Sequence, residues 1–124
     1  MVGLAGLYFV LADSDRARFV RQGIDNGLHT IETIDATTVR RPARRRSARN
    51  FPRFLAARLA EDFAADVFTD LVLVGTQEVL DTLTGLLDAP TRVSLVGSLA
   101  RNLIDVPDLE LFPHLRPWLD GDER

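Results

Sequence analysis

The stretch DLVLVGTQEVLDTLTGLL, Asp70 to Leu87, changes its hydrophobic period once and so decides the class of fold. Leu71 to Val74 form an apolar run closed by Gly75, the pattern of a strand. From Thr76 onward Val79, Leu80, Leu83, Leu86 and Leu87 fall at helical spacing and make one buried face. Gly75 gives room for the turn, and Thr76 is placed to cap the helix with Gln77 and Glu78 in its first turn. The next apolar run, TRVSLVGSL from Thr91 to Leu99, reads as a strand ending near Gly97 and Ser98. A strand, a helix and a further strand in immediate succession imply parallel pairing through a right-handed crossover.

Upstream the pattern differs. LYFVLA, Leu7 to Ala12, is a short apolar strand stopped by the polar turn Asp13-Ser14-Asp15. RARFVRQG alternates, with Ala17 and Phe19 on one side and Arg16, Arg18 and Gln22 on the other. LHTIETID, Leu28 to Asp35, is rich in branched residues, and the intervening Asp25-Asn26-Gly27 supplies a hairpin turn. Three antiparallel strands therefore precede the first helix. That helix is signalled from Asn50, a candidate cap, by Phe51, Leu55, Leu59, Phe63 and Val67 recurring every four residues, with Pro52 harmless in a first turn. Arg58 and Asp62 form an i,i+4 pair along it. DLELFPHLRPWLD reads as a short terminal helix interrupted by Pro113 and Pro117, or as a set of turns, with Trp118 as its anchor. The whole predicts a single α/β domain over residues 1–124: a mixed sheet of about five strands, with three antiparallel strands followed by helix, strand, helix, strand and helix. No internal repeat is present.

Length and composition agree with one domain. The chain has 124 residues and 46% hydrophobic content, enough for one core and not for two. No stretch approaches the ~20 apolar residues that span a bilayer, and no basic residue opens a signal-peptide pattern, so a cytoplasmic protein without membrane insertion is expected. There is no cysteine, which removes thiolate metal sites and thiol nucleophiles. All fifteen basic residues are arginine, so neither a Walker lysine nor a Schiff-base amine exists. His29 and His114 lack ligand spacing, and no serine, histidine and acid stand in a nucleophile pattern. Neither a metal site nor a cofactor is expected.

The charge is divided. Residues 40–58 contain eight arginines and no acid, while the remainder holds seven arginines against eighteen acids, so a net charge of -3 conceals +8 beside -11. Six of these arginines lie in VRRPARRRSARNF. The run Val39 to Ser47 carries a proline and no periodicity, and predicts an exposed arginine-rich loop at about 39–49 that feeds the helix. Guanidinium groups donate in pairs to phosphate and stay charged, so Arg40, Arg41, Arg44, Arg45, Arg46, Arg49 and Arg53 are the candidate RNA-binding residues. No base-specific signal is visible, and the helical phase of Phe51 buries the one nearby ring. The alternative partner is an acidic protein surface, a second copy of the chain included. Strand ends supply the other candidates. Asp13 and Asp15 in ADSD resemble the nucleophile and acid of a haloacid-dehalogenase-like phosphatase, but the lysine of that family is missing, and turn capping is the competing role. Asp13, Ser14, Gly75 and Thr76 together mark the strand-end positions where open α/β sheets take ligands.

The order of these motifs resembles the bacterial host attachment family, proteins required for attachment to host cells. VLADSDRARFV, FLAARLAEDF, TDLVLVG and VSLVGSLARNLIDVP stand in that family's order over residues 4–120. The family is similar in turn to the middle domain of eukaryotic and archaeal class-one release factors and to a group of ribosomal proteins. The resemblance implies an α/β fold whose first-helix loop faces the ribosome, and hence an RNA or ribonucleoprotein partner. In release factors that loop bears Gly-Gly-Gln, which promotes peptidyl-tRNA hydrolysis. Here RRRSARNFPRF stands in its place: Ser47 and Arg49 to Phe51 resemble the residues just after the motif, while both glycines and the glutamine are missing. Gln77 belongs to a later strand end. The resemblance therefore implies a non-enzymatic RNA-facing module, without release catalysis.

Overall fold

A computed structural model describes residues 6–35 and 44–119. Five strands form one sheet: β1 (Leu7–Ala12), β2 (Arg16–Gln22), β3 (Leu28–Asp35), β4 (Asp70–Gly75) and β5 (Leu95–Ala100). Their order is β3-β2-β1-β4-β5, antiparallel from β1 through β2 to β3 and parallel from β1 through β4 to β5. This is the mixed α/β sheet that the sequence predicts. Among the described residues the helices are α1 (Arg44–Ala64), α2 (Gln77–Leu86), α3 (Ala89–Ser94) and α4 (Phe112–Leu119), with a 3-10 turn at Asp108–Glu110.

The sheet is covered on both faces because the central strands are apolar throughout. Tyr8, Val10, Leu71 and Leu73 point to one side, where Phe51, Leu55 and Leu59 of α1 and Leu80 and Leu83 of α2 meet them. Phe9, Leu11, Val72 and Val74 point to the other, against Leu103, Leu111, Leu115 and Leu119. Phe51, Leu55 and Leu59 are fully buried, and each contributes about 1.5–3 kcal/mol through that burial. The edge strand β3 carries an irregularity. Phe19 pairs with Glu32 and Val20 with Thr30, so Ile31 is an extra residue. The bulge lets Thr30 face the 3-10 turn, where its N–H donates to Asp108, and Glu32 face α1, although they stand two apart.

Four expectations need correction. The arginine-rich loop expected at about 39–49 does not take in Arg44 to Arg49, which are helical and open α1; residues 39–43 lie outside the described residues. Asn50 is accordingly not the cap, and Pro52 lies inside the helix, where it removes the bond to the Ala48 carbonyl. Arginine and alanine are strong helix formers, and repulsion between like charges on a helix costs only a few tenths of a kcal/mol per pair, so the packed helix propagates backward. Second, Thr91 to Ser94 are helical. Asp88 caps α3 by accepting the Thr91 N–H at 3.0 Å, and Pro90 fits its first turn. Third, Gly97 and Ser98 lie within β5, and Gly97 leaves room for Trp118, whose indole stands where a Cβ would go. Fourth, neither proline interrupts α4: Pro113 sits in its first turn and Pro117 lies inside it.

Val67 is also not helical. The Asp66 N–H bonds the Phe63 carbonyl at 3.0 Å and the Val67 N–H bonds the Asp62 carbonyl at 2.9 Å, with Asp66 at φ 61°. This is a Schellman ending with aspartate in the place glycine usually holds.

Candidate nucleic-acid interface

β1 and β4 are parallel neighbours and end side by side, which brings Asp13 and Gly75 to one edge of the sheet. A Cβ at Gly75 would lie 2.6 Å from the Ala12 carbonyl oxygen, so glycine is required there by the close approach of two backbones. Thr76 caps α2 as expected, its hydroxyl accepting the Val79 N–H at 3.4 Å. The Asp13 carboxylate turns the chain from β1 into β2. One oxygen accepts the Asp15 and Arg16 N–H groups at 3.0 and 2.8 Å, and the other accepts Arg16 Nε and Nη2 at 3.2 and 2.9 Å. Burial pushes this carboxyl up, but the donors from Asp15 and Arg16 outweigh it and hold it below the usual range. Asp15 moves the other way, raised chiefly by its hydrogen bond to Asp13. Asp13 is thus an ionised group engaged by four donors, which suits a turn and leaves a nucleophile little freedom.

A cavity of about 300 Å³ opens at this edge, lined by Asp13, Ser14, Pro52, Glu78, Val79, Thr82 and Leu83. Three separate segments build it: the β1–β2 turn, the start of the packed part of α1, and the first turns of α2. The sequence marked Asp13 and Ser14 as strand-end candidates, and both line it. Gly75 and Thr76 stand beside it without lining it. Pro52, Glu78 and Thr82 carried no functional signal in the sequence.

The arginines divide into two groups. Arg44, Arg45, Arg46 and Arg49 occupy the N-terminal turns of α1, the end adjoining this cavity. Arg53, one turn on, is exposed and makes no ion pair among the described residues. Arg40 and Arg41 lie outside the described residues. Arg58, by contrast, is engaged internally: its Nη1 bonds Glu32 at 3.2 Å, its Nε bonds Asp62 at 3.1 Å, and its guanidinium lies over the Phe19 ring at 5.0 Å. The hydrogen bond from Arg58 holds the Glu32 carboxyl below its ordinary value, against a smaller opposing effect of burial.

One further arginine had no signal beyond its place in an alternating strand. Arg18 Nη1 donates to the carbonyls of Ile104 and Val106 at 2.8 and 2.6 Å, and its Nη2 donates to Asp108 at 2.7 Å. This clip closes the loop after β5 onto β2 and β3, opposite the α1 face. His29 pairs with Asp25 in the β2–β3 hairpin at 3.0 Å. Among the described residues no group of three or more His, Asp or Glu could hold a metal ion, and no helix is long and apolar enough to cross a membrane.

The fold is similar to solved structures. An archaeal translation termination factor, aRF1, matches with a TM-score of 0.53 at 13% identity, covering 83% of this chain and 32% of that one. A chain described only as an archaeal protein matches with a TM-score of 0.52 at 10% identity, covering 94% of this chain and 38% of that one. The chain thus spans about a third of the length of these neighbours, and at such identities the likeness is one of fold. No protein of curated function matches it. The model of the family described as "Bacterial archaeo-eukaryotic release factor family 12" matches residues 33–115.

Proposed function

Because the chain belongs to bacterial archaeo-eukaryotic release factor family 12, we propose that it is a translation-related, cytoplasmic, non-enzymatic module that binds RNA or a ribonucleoprotein through the N-terminal turns of α1. The observation that carries this reading is the placement of Arg44, Arg45, Arg46 and Arg49 on consecutive turns of one helix, continued by the exposed Arg53, with no acid in the first turn. Phosphate oxygens accept from guanidinium groups in pairs, and a helix N-terminus adds donors and a positive dipole end. Arg40 and Arg41 extend the same run in sequence. Release catalysis is not part of the proposal. The stretch RRRSARNFPRF lacks Gly-Gly-Gln, and the saturated Asp13 carboxylate gives a phosphohydrolase reading no free nucleophile.

Binding of a fluorescent single-stranded RNA tests the proposal. If Arg44, Arg45, Arg46, Arg49 and Arg53 each neutralise one phosphate, log Kd changes with log salt at a slope of about 3.5. Affinity then falls about 100-fold between 50 and 200 mM salt. Replacing Arg44, Arg45, Arg46 and Arg49 by Gln, which keeps helix propensity, reduces the slope to about 0.7 and leaves the unfolding midpoint nearly unchanged. Equal affinity of variant and parent for RNA overturns the proposal.

The charge division favours one second reading, an interaction or homo-oligomerisation module of the host attachment kind, in which the basic turns meet the -11 remainder of another copy. It predicts a nuclease-resistant, salt-sensitive dimer that the same quadruple variant dissociates.

A further inference from the structure

The cavity beside α1 has a chemistry that the arginines do not explain. Its walls are Pro52, Val79 and Leu83, and its polar groups are Asp13, Ser14, Glu78 and Thr82. Asp13 is committed to Asp15 and Arg16. The Thr82 hydroxyl donates to the Glu78 carbonyl at 3.0 Å and so has only lone pairs to offer. The Glu78 carboxylate makes no hydrogen bond or ion pair among the described residues. The lining therefore includes an uncommitted glutamate and a serine, both exposed to solvent, beside apolar Pro52, Val79 and Leu83, at a volume of about 300 Å³ that admits a planar heterocycle.

An acidic pocket repels phosphate, yet it adjoins the most basic turns of the protein. One ligand satisfies both: a nucleotide whose base enters the cavity while its phosphate stays outside. By helical phase, positions 45 and 49 lie on the side of α1 that Pro52 occupies, about 10 and 4.5 Å from it along the axis. The turns that carry Arg45 and Arg49 thus directly precede the cavity wall at Pro52, and the phosphates flanking such a base would run toward them.

We infer that this cavity takes an unpaired guanine base, with Glu78 accepting from its Watson–Crick edge. Guanine alone among the four bases places two adjacent N–H donors, N1–H and the 2-amino group, on that edge, and a carboxylate accepts such a pair with both oxygens. Adenine, cytosine and uracil each set an acceptor beside their single donor group, which the carboxylate repels. Ser14 supplies a hydroxyl donor for the guanine carbonyl. Unpaired bases of single-stranded RNA are read in this way, splayed out and bonded on the Watson–Crick edge. The inference rests on the RNA reading for the source of the guanine, although a free guanine nucleotide carries the same chemistry.

The test is a methyl and amide NMR titration of the full chain with guanosine 5′-monophosphate, its inosine, adenosine, cytidine and uridine counterparts, and a short guanine-containing RNA beside one without guanine. Guanosine monophosphate is expected to shift the resonances of Val79, Thr82 and Leu83. Inosine monophosphate, which lacks the 2-amino group, should bind more weakly, and Glu78→Gln should weaken the guanosine nucleotide roughly tenfold or more. Thr82→Trp, which puts a bulky ring into the cavity, should abolish the shifts even if Glu78→Gln disturbs the start of α2. Equal shifts with inosine and guanosine nucleotides, or unchanged affinity in Glu78→Gln, overturn the guanine assignment. RNA that binds regardless of guanine content, with the monophosphate silent, overturns it while leaving the arginine reading standing. Guanosine monophosphate bound in the cavity with both RNAs unbound supports the pocket and removes the arginine reading.

Discussion

Replacing Arg18 by Met removes a guanidinium and keeps most of the stem that packs beside it. The side chain is 11% exposed, and its loss leaves the carbonyls of Ile104 and Val106 without their donor and Asp108 without its cation. Breaking a buried pair by removing one partner costs about 3–5 kcal/mol. Asp108 is 35% exposed, so water recovers part of that cost, and a destabilisation of about 2–3 kcal/mol is expected. For a chain of this size that lowers Tm by roughly 10 °C. The effect carries a pH signature. Burial pushes the Asp108 carboxyl up, but hydrogen bonds from Thr30 and Arg18 outweigh it and depress its folded value. A group depressed in the folded state stabilises above its unfolded value and loses that contribution as pH falls through the folded one. The gap between parent and Arg18→Met should therefore be full near pH 6 and shrink below about pH 4. Urea titrations across that range measure it. A gap under about 0.5 kcal/mol at pH 6 would refute the clip as a stabilising element, and a gap that widens on acidification would refute the assignment of its strength to the Asp108 carboxylate.

Two local substitutions probe the backbone geometry. Asp66→Gly relieves a left-handed residue at the end of α1, and urea unfolding should show a gain of about 0.5–1 kcal/mol, reduced by the greater freedom of glycine in the unfolded chain. A loss there would contradict the Schellman ending. Gly97→Ala places a Cβ 2.5 Å from Trp118 Nε1, so the indole must move, and a destabilisation of about 1–3 kcal/mol should accompany a changed emission of the single tryptophan. Unchanged fluorescence and stability would show that Trp118 does not pack on β5.

The parts of the fold legible in the sequence are those where one local pattern is also the global one. Leu71 to Gly75 followed by Thr76 has no reading but strand and capped helix, and Asn26, at φ 66°, turns the hairpin as its residue type predicts. The misreadings have physical causes. In Thr91 to Ser94 the branched residues argue for strand, but Asp88 and Pro90 begin a helix, and a cap with its proline outweighs β propensity over so short a segment. The bulge at Ile31 is invisible because alternation in LHTIETID does not say where one residue is left over. Arg18 was unreadable as a clip because its partners lie 85 to 90 residues further on. The same holds for the cavity. Asp13 and Ser14 were legible as a strand end, but Pro52 and Glu78 acquire a common purpose only when α1 and α2 pack side by side on the sheet.

The basic turns of α1 make sense only when the free and bound states are weighed together. Arg44, Arg45 and Arg46 stand in the first turn, at the positive end of the helix dipole and with no acid beside them, and each such placement costs about 0.3–1 kcal/mol before screening. Pro52 removes a further hydrogen bond between those turns and the packed part of the helix. For stability alone, acids would serve better at every one of these positions. Phe51, Leu55 and Leu59 are buried and hold the following turns of α1 on the sheet. In the proposed reading, the end where arginines oppose the helix dipole is the end shaped for an anion. In the proposed complex the dipole and the guanidinium groups act in the same direction, so the features that oppose the free helix favour the bound one.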